Sequence, residues 1–469
     1  MKKSTKTILI ILWSLLGTAG VLFAVLTVLK FLPPKEQAVE KEADGTLACY
    51  SEFDLFAKIP AFTEETVRYE NATDNGAGTY GINAYDTDTE MYRGYLKTLE
   101  ENGFKKYTDN GDGMDGFVYK AWYEKDGLYV SVAHLSKTGR TLITACEKAW
   151  SDRLLDLPEW SEGAQADAST KLYLPELYAL GASMIYQLKN GHFILNDGGV
   201  SLELPYLLDD LERLAPEGEK PIIDAWFISH GHTDHMGVFM ALFENKDQLE
   251  RISVENVFFN DVSKEDEKYL AKAESDMSSL MNYVRGLPSF MKRADGSATE
   301  SHEISIGDRL YFDGLTVDVV FSSELNPREE WLSQNGMSLW LMYTVEGQKV
   351  LFSFDGTWPT QKTIMKTYDR SYFDLTVYQP PHHGYDTFNE FTDYLSRVGT
   401  LLYTNYQTLT GGSEGYSVES AFMQHLCDKA GEVYTFGNGT VVLTFPYEAG
   451  TAETLAPREW KYNAKDPTR

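Results

Sequence analysis

The run Ser229-His230-Gly231-His232-Thr233-Asp234-His235 follows directly on Pro221-Ile-Ile-Asp-Ala-Trp-Phe-Ile228. The mostly apolar run reads as a strand buried on both faces, as in layered α/β architectures. Three histidines and an aspartate within six residues begin where that strand ends. Backbone turns at strand ends and side chains converge there, so ligands are expected at such places. Imidazole nitrogens and carboxylate oxygens are the usual ligands of zinc and related metals. On an extended loop the H-x-H-x-D-H spacing puts His230 and His232 on one side, within reach of one ion. Asp234 and His235 then turn toward a second. A solvated surface loop has little use for so dense a cluster.

Three further segments belong with this run. Met184-Ile-Tyr-Gln-Leu188, Asn190-Gly191 and His192-Phe-Ile-Leu-Asn-Asp197 read as a hairpin, because Asn-Gly is the strongest two-residue turn signal. Lys349-Val-Leu-Phe-Ser-Phe-Asp355 and Asp374-Leu-Thr-Val-Tyr-Gln-Pro-Pro-His382-His383-Gly384 are strand-like runs that each end in a metal-ligand residue type.

Together these segments resemble the metallo-β-lactamase superfamily. The closer resemblance is to the C-terminal domain of competence-type DNA-uptake channel proteins and related stand-alone hydrolases. It rests on Asn335-Gly-Met-Ser338 ahead of the aspartate, on His382-His383-Gly384, and on a closing hairpin over Glu432 to Phe445 with Asn438-Gly439 as its turn. The resemblance implies an α+β fold, the αββα sandwich of two face-to-face sheets with helices outside. It implies that Asp197 props the histidine loop and that Asp355 bridges two ions. His230, His232, Asp234, His235, Asp355 and one of His382 and His383 would complete the metal set, with Asn335 and Ser338 as structural support. Of the adjacent pair, the leaning is to His382 as ligand, with its neighbour facing substrate. Asp234, His382 and His383 would carry the catalytic roles.

The chain departs from that branch in places. Tyr385 follows His-His-Gly where a small hydroxyl residue is usual. Phe354 precedes the aspartate where glycine is usual, and Ser413-Glu-Gly-Tyr-Ser417 lacks the branch's histidine. These positions leave the substrate class open. Nine histidines occur, and His134, His192, His302 and His425 stand alone beside ordinary strand or helix patterns, so they read as surface or core residues. Ser229 reads as structural.

The chemistry implied is hydrolysis. One or two zinc ions, with manganese as an alternative, would lower the pKa of bound water to roughly 7 and supply hydroxide. The substrate expected is a phosphoester or another small ester of the cell envelope. The alternatives are a DNA-processing nuclease and a non-catalytic envelope binding protein with a retained metal site. A net charge of −28 repels polyanions and weighs against nucleic acid as a partner.

At the N-terminus three lysines precede an uncharged apolar run, Ile8 to Leu29. Its length matches a bilayer core of roughly 30 Å. The expectation is a single-pass signal anchor in the lipid bilayer, N-terminus cytoplasmic and catalytic domain extracellular. Residues 1–34 would be tip and anchor, 35–46 a stalk, 47–148 a small α+β domain and 149–170 a linker. The hydrolase would span 171–450, with 451–469 as a tail. In the small domain, Thr87-Asp-Thr-Glu90 reads as a capping box for a helix closed by Gly103. Asp126-Gly127 marks a hairpin there. Cys49 and Cys146 bracket this domain and could pair. Glu265 to Arg285 reads as a helix, and Leu287-Pro-Ser-Phe-Met291 as part of a surface insertion, the more common outcome, or as a candidate lid over the metal mouth.

Overall fold

The computed structural model describes Tyr50, residues 53–62, 67–69, 73–76, 78–147, 169–178, 180–261, Leu270, and residues 281–326, 333–405, 421–437 and 439–459. The apolar run at 8–29, the stalk, Cys49, residues 149–168 of the linker and Ser413–Ser417 lie outside these, as does most of the helix expected from Glu265.

The chain is a mixed α+β protein. Its N-terminal lobe is a seven-stranded antiparallel sheet ordered 68–69, 79–85, 140–146, 128–135, 118–125, 105–109, with 73–76 paired to 79–85. One helix, α1 (Thr89–Glu101), packs on it through Tyr92, Tyr95 and Leu99, an i, i+3, i+7 stripe. The cap is Asp88, whose carboxylate accepts the Met91 N–H, and not Thr87 as the capping-box pattern predicts. The Thr87 hydroxyl is instead bonded to Thr141 Oγ1 at 2.8 Å. Asp126 and Gly127 both adopt positive φ, 53° and 79°, which matches the right-handed twist of the two flanking strands.

Two larger sheets follow. The nine-stranded one carries β1 (Phe193–Asp197) and β2 (Ile222–Ile228) side by side and parallel. The seven-stranded one carries β3 (Gln348–Phe352), β4 (Asp374–Gln379) and β5 (Arg397–Tyr403), also parallel neighbours. Leu172, Ile194, Phe227 and Phe258 of one sheet meet Val317, Leu341, Phe352 and Val377 of the other in a single core. The outer face of the nine-stranded sheet is covered by α2 (Leu204–Leu214) and α3 (Thr233–Glu244), and that of the seven-stranded sheet by α4 (Trp358–Thr367) and helices further on. The layers therefore run helix, sheet, sheet, helix.

Three readings are corrected. Among the described residues, which do not include the apolar run at 8–29, no helix is long and apolar enough to cross a membrane, and this stands against the placement as a single-pass membrane protein. The expected closing hairpin is a crossing between sheets. Glu432–Thr435 pairs parallel with β5, whereas Val441–Thr444 pairs antiparallel with Lys171–Leu174 of the other sheet. Gly439 turns between them at φ 115°, where a Cβ would meet Leu455 O at 2.1 Å. The candidate lid packs elsewhere: Leu287 and Pro288 are buried and Phe290 stacks edge-on against Phe243, in the last turn of α3. The metal-ligand residue types sit in the first turn, about 13 Å away at 1.5 Å per residue.

The N-terminal lobe packs against the sandwich. Val118, Ala133, Leu135 and Leu142 share a core with Phe321, Trp340 and Tyr368. Lys120 and Asp308, each 2% exposed, form an ion pair across the junction at 2.8 Å. The lobe and the sandwich are therefore packed as one body.

Candidate metal centre

Four chain turns converge where the parallel strands of both sheets end. β1 ends on Asp197, held at φ 56°. That left-handed turn aims its carboxylate at the neighbouring β2 end. One oxygen accepts the Ser229 N–H at 2.8 Å, and the other accepts the Ser229 hydroxyl and His235 Nδ1, both at 2.7 Å. After β2 the chain bends at Gly231 and reaches His232, the extended N-cap of α3. The rings of His230 and His232 lie with centroids 4.7 Å apart. Asp234 and His235 fall in the first helical turn, where the helix dipole favours a carboxylate.

β3 delivers Asp355 through a tight turn. Phe354 takes φ 43°, a conformation suited to glycine, and its ring is buried in the inter-sheet core. The Gln379 side chain holds this turn by accepting the Ser353 and Phe354 N–H groups at 3.0 and 2.7 Å. After β4, His382 and His383 both adopt positive φ, 49° and 51°, before Gly384 at 90°. Two consecutive left-handed non-glycine residues store backbone strain of the kind found at functional sites.

Two groups of ligand atoms result, sharing Asp355. One comprises Asp234, His235, Asp355 and His383; the other comprises His230, His232 and Asp355. Within each group the atoms lie within 4.8 Å of one another. Asp355 Oδ1 is 3.0 Å from His235 Nε2 and 3.6 Å from His383 Nε2, and its Oδ2 is 3.7 Å from His230 Nε2. His383 Nε2 lies 3.2 Å from Asp234 Oδ2.

The polar atoms in this space fit a cation. His230 Nε2, His235 Nε2 and both Asp355 oxygens are buried without a hydrogen-bond partner. The 3.0 Å approach of His235 to Asp355 is out of hydrogen-bond alignment. Orphaned buried acceptors are costly unless something binds them. The surrounding network sets the tautomers, as assigned from donor and acceptor logic. Asp197 takes the Ser229 hydroxyl proton, so Ser229 Oγ must accept from His230 Nδ1 at 2.9 Å. His235 Nδ1 donates to Asp197 and His383 Nδ1 donates to Thr404 O at 2.9 Å. All three rings thus present a bare Nε2 inward, as ligation requires.

Among themselves the imidazoles and carboxylates shift one another's charge states, and a cation would take the place of the proton that the carboxylates hold on His235. Burial and the neighbouring histidines hold His230 well below the usual imidazole range. Burial pulls His235 the same way, but the Asp355 and Asp197 carboxylates outweigh it and raise the ring well above that range. Asp355 is raised by burial yet ends well below the carboxylate range, because His235 and His383 face it. Asp234 is likewise pulled down against burial by the His383 hydrogen bond and the charges of His235 and His383.

His383, and not His382, stands in the four-residue group, the reverse of the leaning from sequence. His382 sits at the open side, its side chain 30% exposed, with Nδ1 bonded to Asp386 Oδ2 at 2.7 Å and Nε2 3.9 Å from Asp355. Asn335 Nδ2 is 3.2 Å from that Nε2. The two rings stand apart, with centroids 6.1 Å from each other and planes inclined at 55°. We expect His383→Ala to lose most bound metal and His382→Ala to keep most of it, read by metal analysis after dialysis. Equal loss in both variants would contradict this division.

The other histidines are occupied elsewhere. His134 stacks on Tyr92, His192 pairs with Asp224, His302 bonds Asn256 and His425 pairs with Asp393. Sequence reasoning missed Asp386, Gln334 and Thr404, and it gave Ser229 no specific partner. Only Asp386 carries a local signal, an acid one helical turn beyond His382.

No protein-family model and no curated protein matches this sequence. Among solved structures, yeast PDE1 is similar over 57% of this chain and 97% of its own, at 9% identity and a TM-score of 0.33. A Cronobacter sakazakii metallo-β-lactamase with a HARLDQ motif covers 48% of this chain and 79% of its own, at 12% identity and 0.26. A Hirschia baltica metallo-β-lactamase covers 61% and 71%, at 12% identity and 0.21. With identities this low and scores this small, the assignment rests on the chain's own strands and side chains. The finer resemblance to the competence-type branch gains no support from them.

Proposed function

We propose that this chain is a metal-dependent hydrolase of the metallo-β-lactamase superfamily, acting on a phosphoester or another small ester. The observation that supports it most is Asp355, buried with both oxygens unpartnered between two histidine groups. Zinc, or manganese, suits this donor set of imidazole and carboxylate. His230, His232 and Asp355 would hold one ion, and Asp234, His235, Asp355 and His383 the other. Such ions, when bound, supply Lewis acidity and a nucleophilic water at neutral pH.

The protein's own groups take the remaining roles. Asp234 lies so far below the ordinary carboxylate range that it keeps its charge and accepts hydrogen bonds rather than protons. His382 faces the open side, and Asp386 raises it despite opposing burial. That pairing suits it to hold a proton beside a leaving oxygen. Tyr385, its ring 5.3 Å from that of His382, walls the same side.

The test is turnover of a small chromogenic phosphodiester and phosphomonoester with zinc or manganese added. Activity that a chelator abolishes and metal restores is expected. Metal bound without turnover on these or on a lactone panel would favour a binding protein instead.

A further inference from the structure

The segment from Gln334 to Leu339 touches every turn that carries a candidate ligand. Gln334 Oε1 accepts the Gly231 N–H at 3.1 Å. Leu339 N donates to Ser229 O at 3.1 Å. Asn335 reaches His382. Ser338, with no exposed surface, lies between the two sheets' contributions. Its Oγ accepts the Asp355 N–H at 3.2 Å and lies 3.3 Å from His230 Nδ1.

We infer that this segment is a positioning strap for the metal centre, and that the Ser338 hydroxyl fixes His230 and the Asp355 turn relative to each other. The inference rests on the metal-centre reading above. His230 rides on the nine-stranded sheet and Asp355 on the seven-stranded one. One small hydroxyl bonds to both of these residues. Ser338 is too buried to touch substrate, so it is a positioning residue and not a nucleophile. A hydroxyl suits that role, because its oxygen accepts the Asp355 N–H and shares the His230 Nδ1–H with Ser229, two donors that approach from different sheets. In alanine the Asp355 N–H loses this acceptor and His230 keeps only Ser229. The Gly231 contact adds a second, independent tether, because a Cβ there would meet Gln334 Oε1 at 2.9 Å. The short 3₁₀ turn Asn335–Met337 brings these side chains round within so few residues.

The test measures affinity for zinc against a competing chelator, together with melting of the metal-free protein. Ser338→Ala is expected to weaken zinc binding about 10- to 100-fold, the range for residues that orient ligands. Its metal-free melting temperature should fall by no more than several degrees, the cost of one buried N–H left without its acceptor. The cobalt-substituted protein should show an altered d–d absorption spectrum. Ser338→Thr, which keeps the hydroxyl, should recover most of the affinity. Gln334→Ala should weaken zinc in the same direction through Gly231, and it serves if Ser338→Ala does not fold. Wild-type affinity and spectrum in a folded Ser338→Ala, or in a folded Gln334→Ala where only that variant folds, would overturn the strap. Wild-type protein that binds no zinc or manganese would instead overturn the metal-centre reading itself.

Discussion

Asp355→Asn is expected to strip metal from both groups at once and to reduce hydrolysis by at least about 10³-fold, roughly 4 kcal/mol of lost transition-state stabilisation. Asp355 is the one residue common to both groups, and its oxygens face different histidines. The amide keeps the shape of the side chain but offers a single neutral oxygen, and its NH₂ points a donor at a cation site. Loss of His232 or Asp234 removes a ligand from one group only and should leave the other partly loaded. Metal analysis beside steady-state rates separates the two patterns. An Asp355→Asn protein that keeps near-full metal and rate would remove the shared aspartate from the centre.

Asp308→Ala is expected to destabilise the whole described body by about 3–5 kcal/mol, because it strands a buried ammonium. Lys120 and Asp308 are both 2% exposed. Asp308 also accepts the Trp122 indole N–H at 2.9 Å and the Ser305 N–H at 2.9 Å. The pair joins the N-terminal lobe to the sandwich, so its loss should lower one cooperative transition rather than release a lobe. Replacing both partners, as in Lys120→Met with Asp308→Leu, should return much of the stability, since no charge is then left unpaired. Urea unfolding followed by tryptophan fluorescence and by far-ultraviolet circular dichroism gives the answer. Two separated transitions in wild type would show that the lobes fold apart.

Much of the centre is legible in the chain because its chemistry is local. The clustering of His230, His232, Asp234 and His235 at a strand end shows in the sequence, which reads as an extended loop where the structure starts a helix at Thr233. Asn190-Gly191 and Asp126-Gly127 are turns whose geometry their residue types favour. The strands before Asp197 and Asp355 show as short apolar runs. These features follow from neighbours in sequence, so sequence by itself determined them.

Tertiary structure decided the rest. The direction of His382 and His383 depends on two positive φ values at non-glycine residues, which no residue type announces. The crossing from Glu432–Thr435 to Val441–Thr444 looks like a hairpin until the free edge of Lys171–Leu174, far back in the chain, is available to pair. The N-terminal lobe looks independent because its helix and strands are locally complete. Its buried Lys120 finds its counter-charge in Asp308, 188 positions away, and a further acceptor in the neighbouring Ser305 hydroxyl. Ser338 and Gln334 are ordinary polar residues in sequence, and their partners on the histidine loop lie more than a hundred residues upstream. Ligand identity is a matter of side-chain chemistry, which a sequence carries. Ligand orientation is a matter of which distant groups complete each hydrogen bond, and only the packed sheets supply that.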